Sequence, residues 1–134
     1  MSDHLKYYKK IKSIPTVNLG DLNLKTLFKQ RENFYFNLGM NKQNFYNKSV
    51  LELCSGTGYN AFFLNKIFKV KKIKLVDYNP ESLNTSKNNL SKLKNIKIIN
   101  ENINKFTTTE KFDYVIMENS IDNFTNEKSI INKI

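Results

Sequence analysis

The stretch from Val50 to Ala61, Val-Leu-Glu-Leu-Cys-Ser-Gly-Thr-Gly-Tyr-Asn-Ala, constrains the fold more than any other part of the chain. An apolar run from Val50 to Leu53 carries one acid, Glu52, then gives way through Gly56 and Gly58 to a segment with helical apolar spacing. Strand, tight loop and helix start follow one another here. Two of the chain's four glycines fall in the loop, where glycine accepts a positive φ and lets a ligand approach the backbone with no Cβ in the way. A helix beginning near Tyr59 adds the unpaired N–H groups of its first turn. The loop reads as a cradle for a nucleotide-type ligand.

The elements around the loop extend the pattern. Before it, Leu24, Leu27, Phe28, Phe34, Tyr35 and Leu38 recur at helical spacing from an N-cap at Asp21 or Asn23 to Gly39, a C′ glycine. Arg31 falls inside this apolar stripe, where a guanidinium is costly unless paired, so the spacing predicts a carboxylate partner. Two readings stay open for Arg31: a structural ion pair or a snorkelling side chain, and a group that reaches a cofactor or substrate carboxylate. Residues 41–48 form a polar linker. After it come a first strand, Val50 to Leu53, a helix from Tyr59 to Phe68, and a second strand, Ile73 to Val76, that ends at Asp77. Asn79 and Pro80 suit the N-cap and first position of a helix running to about Leu93. Ile96 to Ile99 and Phe112 to Met117 supply two more strands, and residues 127–134 have a helical pattern. Strands separated by helices predict a right-handed parallel α/β sheet, with ligands at the carboxyl ends of its strands. Residues 1–44 form a helical arm or lid, and residues 45–134 form the ligand-binding domain.

Composition excludes several classes. No apolar stretch approaches the roughly 20 residues of a membrane helix, and the first residues lack a signal-peptide core, so the expected location is cytoplasmic. One cysteine, Cys54, with one histidine, His4, builds neither a disulfide framework nor an ordinary zinc site, and no metal is expected. The net charge of +10 suggests a nucleic-acid partner. It is carried, however, by 21 lysines and a single arginine, beside 21 asparagines. Base and phosphate recognition usually recruits arginine for its planar fork. The charge is a compositional background, and a nucleic-acid partner is not expected.

Asp77 follows Gly56 by 21 residues and ends the second strand, a position from which its two oxygens can accept both ribose hydroxyls. Gly56, Gly58 and Ala61 satisfy the G-x-G-x-x-A spacing of dinucleotide-binding proteins. Against that ligand, Cys54 and Ser55 separate the strand from the first glycine. Glu52 near the strand end also repels a pyrophosphate, while it suits a ligand carrying an ammonium and a sulfonium.

Val50 to Gly58 resembles the first motif of class I S-adenosylmethionine-dependent methyltransferases, an acid, any residue, then Gly-x-Gly-x-Gly. Glu52, Gly56 and Gly58 match, and Cys54 stands where the first glycine is usual, which requires a backbone angle that a Cβ tolerates. Leu75 to Pro80 is similar to the second motif, which implies that Asp77 holds the ribose and Tyr78 packs on adenine. Glu101-Asn102-Ile103 occupies the place of the third motif, with Asn102 in place of the usual aspartate facing the adenine amino group. Phe112 to Glu118 resembles the fourth-strand motif, whose end faces the transferred methyl. The resemblance implies a Rossmann-like parallel sheet with flanking helices and S-adenosylmethionine as cofactor, held by Glu52, Cys54, Ser55, Gly56, Gly58, Asp77, Tyr78, Asn102, Ile103 and Glu118. It covers residues 45–126. The sheet is incomplete, at about four strands, fewer than such domains carry.

The residues after the fourth strand, Glu118-Asn119-Ser120-Ile121, lack the Asn or Asp followed by Pro-Pro and an aromatic that accompanies amino-nitrogen acceptors. Lys69, Lys71, Lys72, Lys74 and Lys111 fall at the sheet edge opposite the ligand end. A small-molecule acceptor is therefore expected, with Tyr7, Tyr8, Arg31 and Tyr35 on the substrate side and no general base assigned. The alternatives are an RNA or DNA methyltransferase and a non-catalytic, NAD-type adenosine-binding module. The exposed fourth-strand edge, Tyr114 to Met117, leaves two expectations: a fragment that is the cofactor-binding portion of such an enzyme, or a shortened protein that covers the edge with its arm or with a second copy in a homodimer.

Overall fold

The computed structural model describes residues 23–118, together with the single positions 6, 7, 10 and 132. Tyr8, most of residues 1–22 and, but for position 132, the helical pattern at 127–134 lie outside the described residues.

Helix α1 spans Leu24–Asn37. Asn23 starts it, its side-chain oxygen accepting the N–H groups of Lys25 and Thr26 at 3.1 and 3.2 Å. Gly39, at φ +74°, ends it. The buried stripe is narrower than the sequence suggested. Leu27, Arg31 and Tyr35, four residues apart, turn inward, while Leu24, Phe34 and Leu38 on the flanks stay at least 39% exposed. The expected linker at 41–48 contains a one-turn helix, α2 (Lys42–Phe45), closed by a capping box in which Asn41 and Asn44 exchange side-chain hydrogen bonds with each other's backbone. Asparagines that look like loop residues are here caps. The turn delivers Phe45 into the core, at 1% exposure.

Strand β1 (Ser49–Leu53) is followed by α3 (Tyr59–Phe63), which widens into a π-helical turn over Leu64–Phe68. Then come β2 (Lys72–Asp77), α4 (Pro80–Leu90), β3 (Ile96–Asn100) and β4 (Tyr114–Met117). Asn79 caps α4 and Pro80 opens it as expected. The helix stops at Leu90 rather than Leu93 because the Ser91 hydroxyl and N–H both fold back on the Asn88 carbonyl. Strand β4 begins two residues later than expected. Asp113 is occupied by the Ser49 N–H and hydroxyl at 2.7 and 2.8 Å, and Phe112 lies under the Lys72 and Lys74 ammonium groups, 5.5 and 5.4 Å from its ring centre.

The four strands are all parallel, in the order β3-β2-β1-β4. Strand β1 therefore has neighbours on both sides, and all five of its residues are buried. Sequence order reverses across β1, which makes the carboxyl end of this strand the place where an open α/β sheet leaves a crevice. Val50 faces one core cluster, rich in aromatic rings from Tyr35, Phe45, Phe63 and Phe68. Leu51 and Leu53 face another, built with Val76, Ile103 and Phe106. Tyr35 stacks on Phe63 at 5.9 Å, so α1 is bound into the first cluster. Strand alternation puts Glu52 on the same face as Val50, beneath α1 and α3.

Away from the crevice, Lys72 donates to Glu110 at 2.6 Å and Lys74 pairs with the other oxygen of the same carboxylate. These lysines hold the Glu110 carboxyl down to about 2. No helix among the described residues is long and apolar enough to cross a membrane.

Candidate functional site

The loop after β1 turns through three residues with positive φ, alternating along the chain: Cys54 at +55°, Gly56 at +55° and Gly58 at +75°. The angle demanded of Cys54 is thus one that a Cβ resists. Cys54 tolerates it half-buried, packed against the Leu51, Leu53 and Val76 cluster. Gly56 donates its N–H to the Asp77 carboxylate at 2.8 Å, joining the loop to the end of β2. Gly58 serves packing: a Cβ there would stand 2.6 Å from Leu90 Cδ1 and 2.9 Å from Ser86 Oγ on α4. Ser55 is buried beside them with its hydroxyl unpartnered.

Asp77 accepts the N–H of Asn79 at 2.9 Å on one oxygen and that of Gly56 on the other. Burial raises the Asp77 pKa, against the pull of the Asn79, Gly56 and Tyr78 amides. Tyr78 follows, half-buried, at the end of the strand. Of the third-motif pair, Asn102 points its amide oxygen at the N–H of Asn104, at 2.9 Å. Ile103 is 5% exposed within the second core cluster, so its side chain serves the core.

Glu52 has the most perturbed acid of the group, its pKa pushed up to about 8, first by burial and then by the Glu118 carboxylate, with a further contribution from Asp77. Asn60 and Arg31 work in the opposite direction. Its Oε2 has no hydrogen-bond partner. Three acids, from the carboxyl ends of β1, β2 and β4, thus converge on the crevice.

The predicted carboxylate partner of Arg31 is Glu118. The guanidinium donates to both Glu118 oxygens, at 2.9 Å through Nη1 and more closely through Nη2. Nη2 also donates to Asn60 Oδ1 at 2.5 Å, and the hydroxyls of Tyr59 and Tyr35 lie 3.4 and 3.5 Å away. The rings of Phe34, Tyr35 and Tyr59 surround the cation at 4.6 to 5.3 Å. Burial opposes its charge, but Glu118 outweighs burial and raises the pKa above the ordinary arginine value. Burial likewise raises the Tyr35 and Tyr59 hydroxyls. Of the four residues expected on the substrate side, Arg31 and Tyr35 lie in this cluster, and Tyr7 is exposed. Tyr59 and Asn60 were not singled out from the sequence. The one signal for Asn60 was a polar residue at an inward position of a helix just after the glycine loop.

A family model described as a methyltransferase domain matches residues 44–134. An uncharacterised protein of Dictyostelium discoideum is 43% identical over 58 residues, which make up 43% of this chain and 16% of that protein. Among solved structures, an S-adenosylmethionine-dependent methyltransferase from Aquifex aeolicus superposes with a TM-score of 0.58 at 21% identity, over 66% of this chain and 49% of that one. Another, from Clostridium acetobutylicum, gives 0.54 at 17% identity, over 81% and 49%. The phosphoethanolamine N-methyltransferase 1 of Haemonchus contortus, solved with phosphoethanolamine and S-adenosylhomocysteine, gives 0.62 at 17% identity, over 86% and 24%. At these identities the superpositions establish a shared fold. The chain spans 16% of the Dictyostelium protein and less than half of each of these structures.

Proposed function

This chain belongs to the methyltransferase-domain family, and from that premise we propose that its crevice binds S-adenosylmethionine for methyl transfer to a small-molecule acceptor. The observation that carries the reading is the convergence of Glu52, Asp77 and Glu118 on one end of the sheet, with Arg31 as the cation acting on Glu52. Arg31 is itself bound to Glu118, so the site has an excess of negative charge. Such a site suits a ligand bearing an ammonium and a sulfonium and repels the pyrophosphate of a dinucleotide.

The residues present fit the cofactor. The unpartnered Oε2 of Glu52 is a buried acceptor awaiting a donor. Asp77 offers its carboxylate at the end of β2 to a ribose hydroxyl pair. Gly56, with Cys54 and Ser55, shapes the loop around it, while Tyr78 and Asn102 form the adenine side. Bound there, S-adenosylmethionine supplies an electrophilic methyl group open to in-line displacement by an acceptor nucleophile. The protein's part is to orient the two reactants and exclude water. Burial keeps Glu52 ready to ionise against a cation. Glu118, gripped by Arg31, fixes the acidic end of β4 beside the methyl side. Tyr7 stands with Arg31 and Tyr35 on the substrate side in this reading. A cytoplasmic setting and a homodimer that covers β4 are also part of it; support for the latter is Val115, 46% exposed on the outer strand of the described sheet.

Calorimetric titration with S-adenosylhomocysteine and NAD tests the reading. Binding of S-adenosylhomocysteine alone is expected, weakened about tenfold or more by Asp77→Ala, which removes hydrogen bonds to a charged acceptor. A preference for NAD, or no binding of S-adenosylhomocysteine, overturns it. RNA binding that falls steeply with salt would favour a nucleic-acid acceptor instead.

A further inference from the structure

Because all four strands run the same way, the sheet has two unlike ends. The carboxyl end gathers the acids of the crevice, and the amino end gathers lysines. Lys48 immediately precedes β1 and Lys71 immediately precedes β2, and the Lys71 N–H donates to the Lys48 carbonyl at 2.8 Å. Carried two steps back from the pair Ile73 and Ile96, the register sets Lys94 beside Lys71. Three lysines thus stand in a row across neighbouring strands, about 4.8 Å apart along the backbone. Lys69, whose carbonyl accepts the Asn47 N–H at 3.1 Å, and Lys111, two residues before Asp113, flank the row. All five are exposed. Lys48 shares Asp113 with Ser49, and Glu110 is taken by Lys72 and Lys74. Lys69, Lys71, Lys94 and Lys111 make no ion pair among the described residues. Like charges set side by side across strands repel, so the row is unfavourable until an anion meets it. Apolar groups are exposed at the same end. Phe45 ties α2 there, its ring 4.5 Å from that of Tyr114, the first residue of β4. Tyr46, next in sequence, is 61% exposed, and Phe36, 76% exposed, borders a groove of about 300 Å³ that Met40 and Lys42 also line, with Glu32 as its acid.

We propose that the amino end of the sheet docks on an anionic membrane surface, with Lys48, Lys69, Lys71, Lys94 and Lys111 facing the lipid phosphates and Phe36 and Tyr46 entering the interface. Two features favour lipid over nucleic acid. Every cation in the patch is a lysine: base and phosphate recognition favours the arginine fork, whereas attraction to a charged leaflet depends on charge alone. Phe36 and Tyr46 add the apolar contact that an interfacial segment makes with a bilayer. The acids of the crevice do not oppose this docking. Strand β1 is five residues long, which sets the crevice about 16 Å from the amino end, roughly two Debye lengths at physiological salt. The crevice therefore opens away from the lipid, towards water. Docking of this kind is independent of the function proposed above.

The test is cosedimentation of the full chain with vesicles of phosphatidylcholine alone and with vesicles that also hold about 30% phosphatidylserine. Binding to the anionic vesicles alone is expected, and it should fall by about tenfold or more between about 0.05 M and about 0.5 M salt as screening shortens the reach of the lysines. The double variant Lys71→Glu with Lys94→Glu should bind anionic vesicles at least about tenfold more weakly, since each lysine close to a leaflet is worth about fivefold. The double variant Phe36→Ala with Tyr46→Ala should lose about fivefold or more at either salt, apolar burial being indifferent to screening. Both variants should keep the wild-type melting temperature and bind S-adenosylhomocysteine within about twofold of wild type, because the four side chains are exposed and lie away from the crevice. Wild type that binds neither kind of vesicle, or both equally, overturns the inference, as does a charge-reversed variant that still binds as wild type does. Tighter binding to a single-stranded RNA than to the anionic vesicles, lost in the same variant, overturns the lipid assignment in favour of nucleic acid. Unchanged vesicle binding in the second variant overturns the part given to Phe36 and Tyr46. Failure of wild type to bind S-adenosylhomocysteine bears on the crevice alone and leaves the vesicle result to decide the docking surface.

Discussion

Cys54 occupies a backbone conformation, φ +55°, that suits glycine, and two substitutions there isolate what that costs. Cys54→Ala and Cys54→Gly both remove the thiol, so whatever Sγ contributes by packing on the Leu51, Leu53 and Val76 cluster cancels between them. What remains is a Cβ in the left-handed region. That Cβ costs roughly 1–2 kcal/mol. Glycine gives back about 0.5–1 kcal/mol through the greater freedom of its unfolded chain. The glycine variant should therefore exceed the alanine variant by about 0.5–1 kcal/mol, reversing the usual order of these two residues. Urea unfolding at a common m-value reads the difference as a higher midpoint for Cys54→Gly, and thermal melts should separate by about 2–4 °C. An alanine variant as stable as the glycine variant, or more so, would refute the claim that the loop is strained at this position.

Gly58→Ala should destabilise by about 2–4 kcal/mol in urea, combining the left-handed φ with overpacking against Leu90 and Ser86; a loss below about 1 kcal/mol would mean that α4 yields freely. Glu118→Ala leaves the buried Arg31 cation without its bidentate partner, and a loss of about 3 kcal/mol is expected, nearly independent of salt because the pair is shielded from solvent. A loss that vanishes at high salt would contradict that shielding. Glu52 has a folded-state pKa of about 8 against an ordinary 4.5, so the folded state holds the proton more tightly. Its contribution is fully present below about pH 4.5, declines as pH rises, and is lost above about pH 8. Glu52→Gln should remove this slope, and the variant should lead wild type by a few kcal/mol at pH 8.5 but not at pH 5. Parallel stability profiles for the two proteins would sink the assignment.

Local chemistry was legible in the sequence wherever a residue acts on its immediate neighbours. Asn23 and Asn79 as caps, Pro80 at a helix start, the glycine turn and Asp77 at a strand end all follow from short-range rules. The order of strands and helices likewise predicted a parallel sheet with its crevice at the carboxyl ends. The unusual angle at Cys54 was not foreseen: a cysteine in place of the glycine had pointed to an angle that a Cβ tolerates, and the loop instead holds it at φ +55°. What escaped depended on distant partners. The need of Arg31 for a carboxylate could be read from its place in an apolar stripe, but the identity of Glu118 could not, since helix α1 and strand β4 meet only in the fold. Asn60 was one asparagine among 21, and nothing local marks it as the acceptor for Arg31 and Tyr35. The helix at Lys42–Phe45 was missed for a related reason: the asparagines that close its capping box are the residues that usually mark a loop. The exposed flanks of α1, at Leu24, Phe34 and Leu38, show that apolar spacing overstates burial when a helix rests on a narrow line of contact.

The strand order also bears on how the molecule is made. As synthesis proceeds, β1, β2 and β3 each emerge next to their neighbour in the finished sheet, whereas β4 must come back to the far side of β1. Helix α1 leaves the ribosome before any of them, yet its guanidinium waits 87 positions for the Glu118 carboxylate. A lone arginine is too costly to bury, so the helix cannot seat fully on a partly made chain. The last of these acids to arrive at the crevice is also the one that lets α1 settle. Pairing of β4 with β1 and docking of α1 are in this way the same event.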